Sequence, residues 1–410
     1  MKRYNSFISW LLIFVVAFTC ILPASTVSAS SLTEQLASAI TAKPASFKET
    51  TPGSNLVDML LSIMGDFFGN LLALPQDITQ KLNLPSGIKA NSSKELIGFY
   101  AEWWATDTSS FNSLYTNADV LRTIAPFWAT LEGDGTITDR GGNDHDSVVS
   151  FAHKNNVSVL LLVNNAKSQD NQSPVHNILA TPALRAKAIN NLEAYIKKYK
   201  LDGINIDFEM VDAQDKDNLS AFMQELSERL KPQGYIISID VFPKQDESND
   251  VSVAYDYAQL AKYADKIILM TYDNHGTWSG AGPIADIDWV EKNLKYALQF
   301  IPKNKLYIGL AAYGYDWSSK GVESLEHKAV MKLTQDFNST IAWDNSSKSP
   351  HFEYTDSNGI KHQVWFENSE SLKYKTDLVT KYDIAGAAIW KLGEEDPNSW
   401  KVFKNVFSKK

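Results

Sequence analysis

Within "LDGINIDFEM", residues 201–210, Asn205, Asp207 and Glu209 take every second position, and Ile204, Ile206 and Phe208 fall between them. A strand sends alternate side chains to opposite faces. The run therefore has an Asn-Asp-Glu face and an Ile-Ile-Phe face. Carboxyl groups this close perturb each other, and like charges raise one of the pKa values. An acid still protonated near neutral pH can serve as a proton donor. On an open sheet the same polar face would simply meet water, so the surrounding elements decide what the pattern means.

From Leu96 onward the chain alternates apolar runs with amphipathic stretches. The runs cover 96–104, 120–129, 157–166, 201–209, 235–243, 266–273, 305–317 and 384–393. Helical spacing lies between several of them. One helix begins at Thr181, with Pro182 at its first position, and runs to about Lys200 with Leu184, Leu192 and Ile196 on its buried face. A second carries Leu219, Phe222, Met223, Leu226 and Leu230 on one face, and a third Val290, Leu294, Ala297 and Ile301. A fourth, near 369–382, precedes the last strand. Strand and helix in alternation predict a parallel sheet with crossover helices. Eight units predict an α/β fold of the TIM (β/α)8 barrel type. Residues 318–366 are too many for one crossover. With Asn358-Gly359 as a hairpin signal they read as a small α+β insertion between strands 7 and 8. Such an insertion belongs at the C-terminal face, where it would wall a cleft.

A closed barrel changes the reading of 201–210. Ile204, Ile206 and Phe208 suit the helix side, so Asn205, Asp207 and Glu209 point inward, with Glu209 last, at the mouth. Carboxylates inside a barrel are costly unless paired or functional. A carboxylic acid kept protonated is what glycosidic bond cleavage requires, and Glu209 is assigned as the catalytic acid. The seven His show no metal-ligand spacing. His145, His153 and His176 are scattered, and His275 falls in a loop. Gly133, Gly135, Gly141 and Gly142 read as turns and not as a phosphate loop. No metal and no cofactor is expected.

Lys2 and Arg3 precede an apolar run from Phe7 to Leu22, and Val27-Ser28-Ala29 offers a cleavage site, so residues 1–29 read as a secretory signal peptide, with an uncleaved membrane anchor as the alternative. The single cysteine, Cys20, lies within it, so the mature chain would fold without disulfides. The formal charge of −9 would become about −11 on losing Lys2 and Arg3. That acidity argues against nucleic acid as a partner. With 44% hydrophobic residues, a large core is within reach. Residues 30–93 form an N-terminal helical or linker segment, and the barrel takes up 94–410. In the apolar block at 56–74, Asp58, Ser62, Asp66 and Asn70 recur every fourth residue, giving a helix with a narrow polar stripe. It suits packing on the main domain, a membrane surface or self-association. A monomer is expected for the remainder.

The motif Asp202-Gly203-Ile204-Asn205-Ile206-Asp207-Phe208-Glu209 resembles the D-G-x-D-x-D-x-E signature of glycoside hydrolase family 18, the chitinase and endo-N-acetylglucosaminidase family. The resemblance extends over about 94–402. "MTYD" (270–273) resembles the family's sixth strand and "AAIWKLG" (387–393) its eighth. The segments 289–317 and 364–393 look most like the spore cortex-lytic N-acetylglucosaminidase subgroup. The resemblance implies a secreted or wall-associated retaining glycosidase acting on a polysaccharide that contains N-acetylglucosamine. In that family the substrate's own N-acetyl oxygen attacks the anomeric carbon. Glu209 would be general acid and then base, Asp207 would orient the acetamido N–H, and Tyr272 would donate to the acetamido oxygen. Trp390 would floor the sugar subsite, and Asp273 would hold a hydroxyl. Met270 shares strand parity with Tyr272 and faces the substrate with it. Tyr100 would lie beneath the catalytic pair.

Two departures from the family pattern stand out. Asn205 takes the place of the middle aspartate among the substrate-side residues, which removes the lower carboxylate with which Asp207 could share a proton. "VNNA" at 163–166 replaces the family's serine and paired glycines, leaving Asn164 or Asn165 to supply support. A non-catalytic lectin and a wall-assembly or germination protein are competing readings on the same fold. Retention of Glu209 counts against the lectin. Deleting residues 30–92 tests the docking readings of the 56–74 block, and unchanged localisation and activity would remove any docking role.

Overall fold

The computed structural model describes residues 94–142, 144–166, 174–248 and 251–408. The expected leader, the 30–93 segment and its 56–74 block lie outside the described residues.

Strands β1 (Glu95–Tyr100), β2 (Leu121–Leu131), β3 (Ile137–Asp139), β4 (Ser158–Asn165), β5 (Gly203–Asp207), β6 (Ile236–Val241), β7 (Lys266–Leu269) and β8 (Leu306–Ala311) come first. Strands β9 (Tyr313–Ser318), β10 (Gly321–Glu326), β11 (Ala342–Asp344), β12 (Ser349–Thr355) and β13 (Lys361–Phe366) follow, and then β14 (Gly386–Trp390). All of β1, β2, β4–β8 and β14 pair in parallel, and β14 and β2 both pair with β1. The ring is closed and eight-stranded, a TIM barrel, with β5 as its fourth strand.

Ten helices occur among the described residues, nine around the barrel and one, His327–Asp336, in the insertion. They are α1 (Ser109–Asn117), α2 (His145–Lys154), α3 (Pro174–Ala180), α4 (Pro182–Tyr199), α5 (Lys216–Leu230), α6 (Tyr257–Tyr263), α7 (Ile287–Ala297), α8 (His327–Asp336), α9 (Ser369–Lys381) and α10 (Ser399–Phe407). Helix α4 has Pro182 in its first turn and ends where Lys200 turns left-handed at φ 56°. Its buried face is Ala188, Ile189, Leu192 and Ile196, whereas Leu184 is half-buried.

Strand parity divides the core in two. Leu96, Leu161, Ile204, Ile206, Phe208, Ile237, Ile239 and Ile308 pack against the helices. Ile97, Phe99, Ala125, Leu162, Ile268, Tyr307 and Ala388 fill the barrel. Each fully buried aliphatic or aromatic side chain contributes roughly 1.5–3 kcal/mol. A one-residue slip in β5 would therefore lose its outer anchors and move Asp207 out of the barrel. Gly203 fixes the start of that strand, because a Cβ there would sit 2.0 Å from the Ile236 carbonyl oxygen. At the N-terminal end Lys266 is bonded to Glu95, and the Tyr307 hydroxyl donates to Glu95 at 2.8 Å. The barrel floor is thus a satisfied ion pair.

The insertion opens at Tyr313, earlier than the expected 318. The last barrel-type contact is the Ala312 N–H to the Trp390 carbonyl, at 2.8 Å. From Tyr313 the chain pairs antiparallel with β10 and β13, and the five-stranded sheet runs β10-β9-β13-β12-β11. Alternation along β9 sends Tyr313, Tyr315 and Trp317 to one cluster, while Val364 and Phe366 of β13 pack with Phe352 and Val330. The Asn358-Gly359 turn connects β12 to β13, with Gly359 at φ 78°.

Where β13 returns to the barrel, Lys375 of α9 donates to both oxygens of Glu367, at 3.0 and 2.9 Å, and Ser371 Oγ donates to the same carboxylate at 2.6 Å. Both charges are buried. Removing one partner of such a pair costs about 3–5 kcal/mol, whereas replacing both with apolar groups is often neutral. Lys375→Met is expected to lower Tm sharply, and Lys375→Met with Glu367→Leu to recover most of the loss. Equal Tm for the single variant and wild type would contradict this.

Candidate active site

The C-terminal mouth of the barrel opens into a cleft of about 560 Å³. Its floor holds Asp207, Glu209, Asp240, Met270, Tyr272 and Asp273. Trp103, Trp104, Trp390 and Glu394 also line it, with Tyr313, Tyr315, Ser324 and Glu326 from the insertion. Six of the expected site residues, Glu209, Asp207, Tyr272, Trp390, Asp273 and Met270, are brought together here.

Asp207 ends β5 and Glu209 follows on the same face. Two contacts hold the Glu209 backbone. Its N–H donates to Asn165 Oδ1 at 2.8 Å, and Asn165 Nδ2 donates to its carbonyl at 3.0 Å. The Tyr255 hydroxyl fixes the residue between them by donating to the Phe208 carbonyl at 2.6 Å. Asn165 is therefore the support left open by the "VNNA" segment, whereas Asn164 accepts from Thr130 at 2.7 Å.

Glu209 projects into the cleft and is exposed there. Burial pushes its pKa up, and the Asp273 charge adds to that. Asp207 is raised further, by burial first, then by Asp240 and then by Glu209. Asp273 sits at φ 56°, a left-handed position that Asp and Asn tolerate better than most residues. Its Oδ1 accepts from Tyr313 at 2.6 Å and Tyr315 at 3.1 Å. Burial raises its pKa, and those two bonds oppose the rise. Burial and the surrounding carboxylates push the Tyr272 phenol up, which keeps it a proton-bearing donor. Its ring has room because residue 309 is glycine: a Cβ there would lie 2.7 Å from Tyr272 Cε1.

Trp390 ends β14, with its ring 5.3 Å from Phe99 and 6.3 Å from Phe127, and Trp103 stands 6.4 Å away. Trp103 and Trp104 are 46% and 62% exposed, so these aromatic faces are open to a ligand. Trp278, 66% exposed, lies on the loop after Asp273. Apolar faces beside hydroxyl donors and acceptors suit a sugar ring.

Two expected residues do not reach the cleft. Tyr100 is fully buried on the helix side of β1, edge-on to Trp128, and donates to Glu102 at 2.8 Å. Parity gives the barrel interior to Phe99 instead. Asn205 does face inward, but it lies beneath Asp207 and donates through Nδ2 to Asp240 at 2.7 Å. It is a buried partner of a carboxylate and has no contact surface for substrate. The lower carboxylate that Asn205 was expected to remove has a counterpart here, because Asp240 stands beside Asp207 on β6.

Asp240 went unread in the sequence, although "IISIDV" repeats the same alternation, with Ser238 and Asp240 between Ile237, Ile239 and Val241. Tyr313, Tyr315 and Trp317 show it again along β9. Away from the cleft, His176, Asp212 and Asp215 bring ligand-type atoms within 4.8 Å, and Asp215 is bonded there to His176 and Asn218.

Residues 95–395 match the family described as Glycosyl hydrolases family 18. The chain is 31% identical over 306 residues to the uncharacterized glycosylase YvbX of Bacillus subtilis (strain 168), across 73% of this chain and 88% of that one. It is 28% identical over 299 residues to the cortical fragment-lytic enzyme of Bacillus anthracis, across 70% and 68%. Among solved structures, the Bacillus cereus spore cortex-lytic enzyme SleL aligns with a TM-score of 0.71 at 26% identity, over 77% of this chain and 75% of that one. A chitinase from Chromobacterium violaceum ATCC 12472 aligns with a TM-score of 0.71 at 27% identity, over 78% and 100%. With the family match spanning almost the whole barrel and the Asp207–Glu209 face at its mouth, this chain belongs to glycoside hydrolase family 18 and is a glycoside hydrolase.

Proposed function

We propose that this enzyme is a secreted retaining glycosidase that cleaves β-1,4 linkages beside N-acetylglucosamine in peptidoglycan or a chitin-like polymer, with the substrate's acetamido group as nucleophile. The observation that carries this reading is the stacking of Asp207 and Glu209 on one strand face. Glu209 is at the cleft surface and Asp207 behind it. A retaining mechanism with a protein nucleophile places its second carboxylate across the sugar, about 5–5.5 Å from the acid. Asp207 is instead buried behind the acid, where it can accept the acetamido N–H and support the positive charge of a cyclised intermediate. The relatives that lyse cortical fragments and the chitinase-type neighbour support an N-acetylglucosamine polymer. The leader-like residues 1–29 support export.

Each side chain then has a task. Trp390 stacks beneath the ring at the point of cleavage. Tyr272 donates to the acetamido oxygen and turns it toward the anomeric carbon. Glu209, protonated through burial, gives its proton to the departing oxygen and then, as carboxylate, activates the water that opens the intermediate. Asp273 holds a hydroxyl, and its own charge keeps the Glu209 proton in place. Met270 packs at the floor.

Digestion of purified peptidoglycan and of chitin oligomers, with products identified by mass, tests this directly. Wild type is expected to yield reducing N-acetylglucosamine ends, and Glu209→Gln to lose at least ~10²-fold in kcat. Retained binding without cleavage by wild type would point to a lectin. The pH profile gives a second test. Activity needs Glu209 protonated, so the rate falls as pH rises through its raised pKa. Asp273→Asn removes a negative charge that raises that pKa, and the alkaline limb of kcat/KM is expected to move to lower pH. An unmoved limb would contradict the assignment.

A further inference from the structure

Asp240 has no task in the scheme above, although it is among the most enclosed carboxyl groups in the molecule. It is 2% exposed, on the inward face of β6, and it touches the floor of the cleft. The β5–β6 register pairs Asn205 with Ser238 and Ile206 with Ile239. One step further along, Asp207 and Asp240 stand across from each other, about 4.8 Å apart between strands. Asn205 Nδ2 donates to Asp240 Oδ2, while Asp240 Oδ1 is buried without a hydrogen-bond partner. Two ionised carboxylates at this depth would be prohibitively costly, whereas a single proton between them turns a repulsive acceptor–acceptor contact into a hydrogen bond.

We propose that Asp240 is a positioning residue for the reaction: it carries a proton on Oδ1 and donates it to Asp207, so that the buried pair bears one negative charge and Asp207 remains the acceptor for the acetamido N–H. The carboxylate that the family signature places at 205 has in effect moved one strand over, and Asn205 has become the donor that pins its Oδ2. The inference rests on the reading of this site given above.

The groups facing Asp240 are consistent with this. On β5 they are Asn205 and Asp207, with Glu209 above them. On its own strand it is Ser238. From β7 and beyond its end they are Ile268, Met270 and Tyr272. Tyr255 lies alongside, under the influence of all three carboxylates. Lys244, after β6, gives its ammonium to the Tyr255 carbonyl and to Glu247. Among the described residues no cation acts on Asp207 or Asp240, and both are pushed upward by burial and by neighbouring carboxylates. The proton is what brings the pair down to a single negative charge.

The test compares the full chain as wild type, Asp240→Asn and the relocation variant Asn205→Asp/Asp240→Asn. Carboxyl ¹³C NMR with labelled aspartate reads the proton without any need for turnover. Wild type should show an aspartate that ionises far above the usual range. Asp240→Asn should move that titration down, and the relocation variant should bring it back. Kinetics on chitin oligomers give the second readout. Asp240→Asn exchanges a protonated carboxyl for an equally neutral amide, so the alkaline limb of kcat set by Glu209 should stay in place, and a limb moved to lower pH would mean that Asp240 is ionised in wild type. Matching Tm values guard against loss of fold. With the Asp273 signal identified through Asp273→Asn, a highest remaining aspartate titration in Asp240→Asn no lower than in wild type, a relocation variant that leaves it no closer to wild type, or a displaced Glu209 limb in Asp240→Asn overturns the proposal. If wild type cleaves nothing, the glycosidase reading fails, and the NMR titration still decides where the proton resides.

Discussion

The crowding of carboxyl groups into one recess of the barrel is the constraint on which the rest of this structure depends. Asp207, Glu209, Asp240 and Asp273 sit at one barrel mouth, and for each of them burial is the leading cause of a raised pKa. Their mutual repulsion acts in the same direction. In water these groups would ionise independently and serve no purpose. In the recess the protonated forms are favoured, and a carboxylic acid whose pKa is raised in that way is suited to giving its proton in catalysis. Most other features of the barrel tolerate or exploit that cost.

The cost is tolerable because the scaffold permits no retreat. Ile204, Ile206 and Phe208 are buried among the helices, so β5 cannot rotate its acids outward. Asn165 grips Glu209 through both its N–H and its carbonyl, and Tyr255 holds the residue before it. Asp273, on the far side, is tied by two tyrosine hydroxyls from β9, the first strand of the insertion. The insertion therefore does more than wall the cleft. The two bonds from its first strand oppose the rise of the Asp273 pKa, and the Asp273 charge adds to the rise at Glu209. Gly309 contributes by having no side chain, which leaves Tyr272 its place.

Much of this was legible in the sequence, because strand parity is a strong signal wherever one face is polar and the other apolar. The alternation at 204–209 placed Asp207 and Glu209, and the spacing of apolar runs gave eight strands and a closed barrel. What escaped followed from short or mixed patterns. Helix α2 depends on an Asp144 cap for its start and has only a brief apolar stripe, and α3 and α6 are seven residues long. Tyr100 was misplaced by a single step of parity that only the packing of Phe99 and Trp390 resolves. Asp240 lies inside a largely apolar run, which gives no sign of its pairing with Asn205 one strand away. Pairing across strands depends on register, and no single segment reports it. The tyrosines on Asp273 are 40 and 42 residues away along the chain.

Stereochemistry tests the central claim, that a buried acid and the substrate's own acetamido group cleave the bond together. ¹H NMR of the first products of N-acetylglucosamine oligomer digestion, recorded before the anomers equilibrate, reads it directly. Attack by the acetamido oxygen from below the ring, followed by water from above, predicts new reducing ends in the β configuration. New ends in the α configuration would mean that water attacks the anomeric carbon in one step, and would contradict the account.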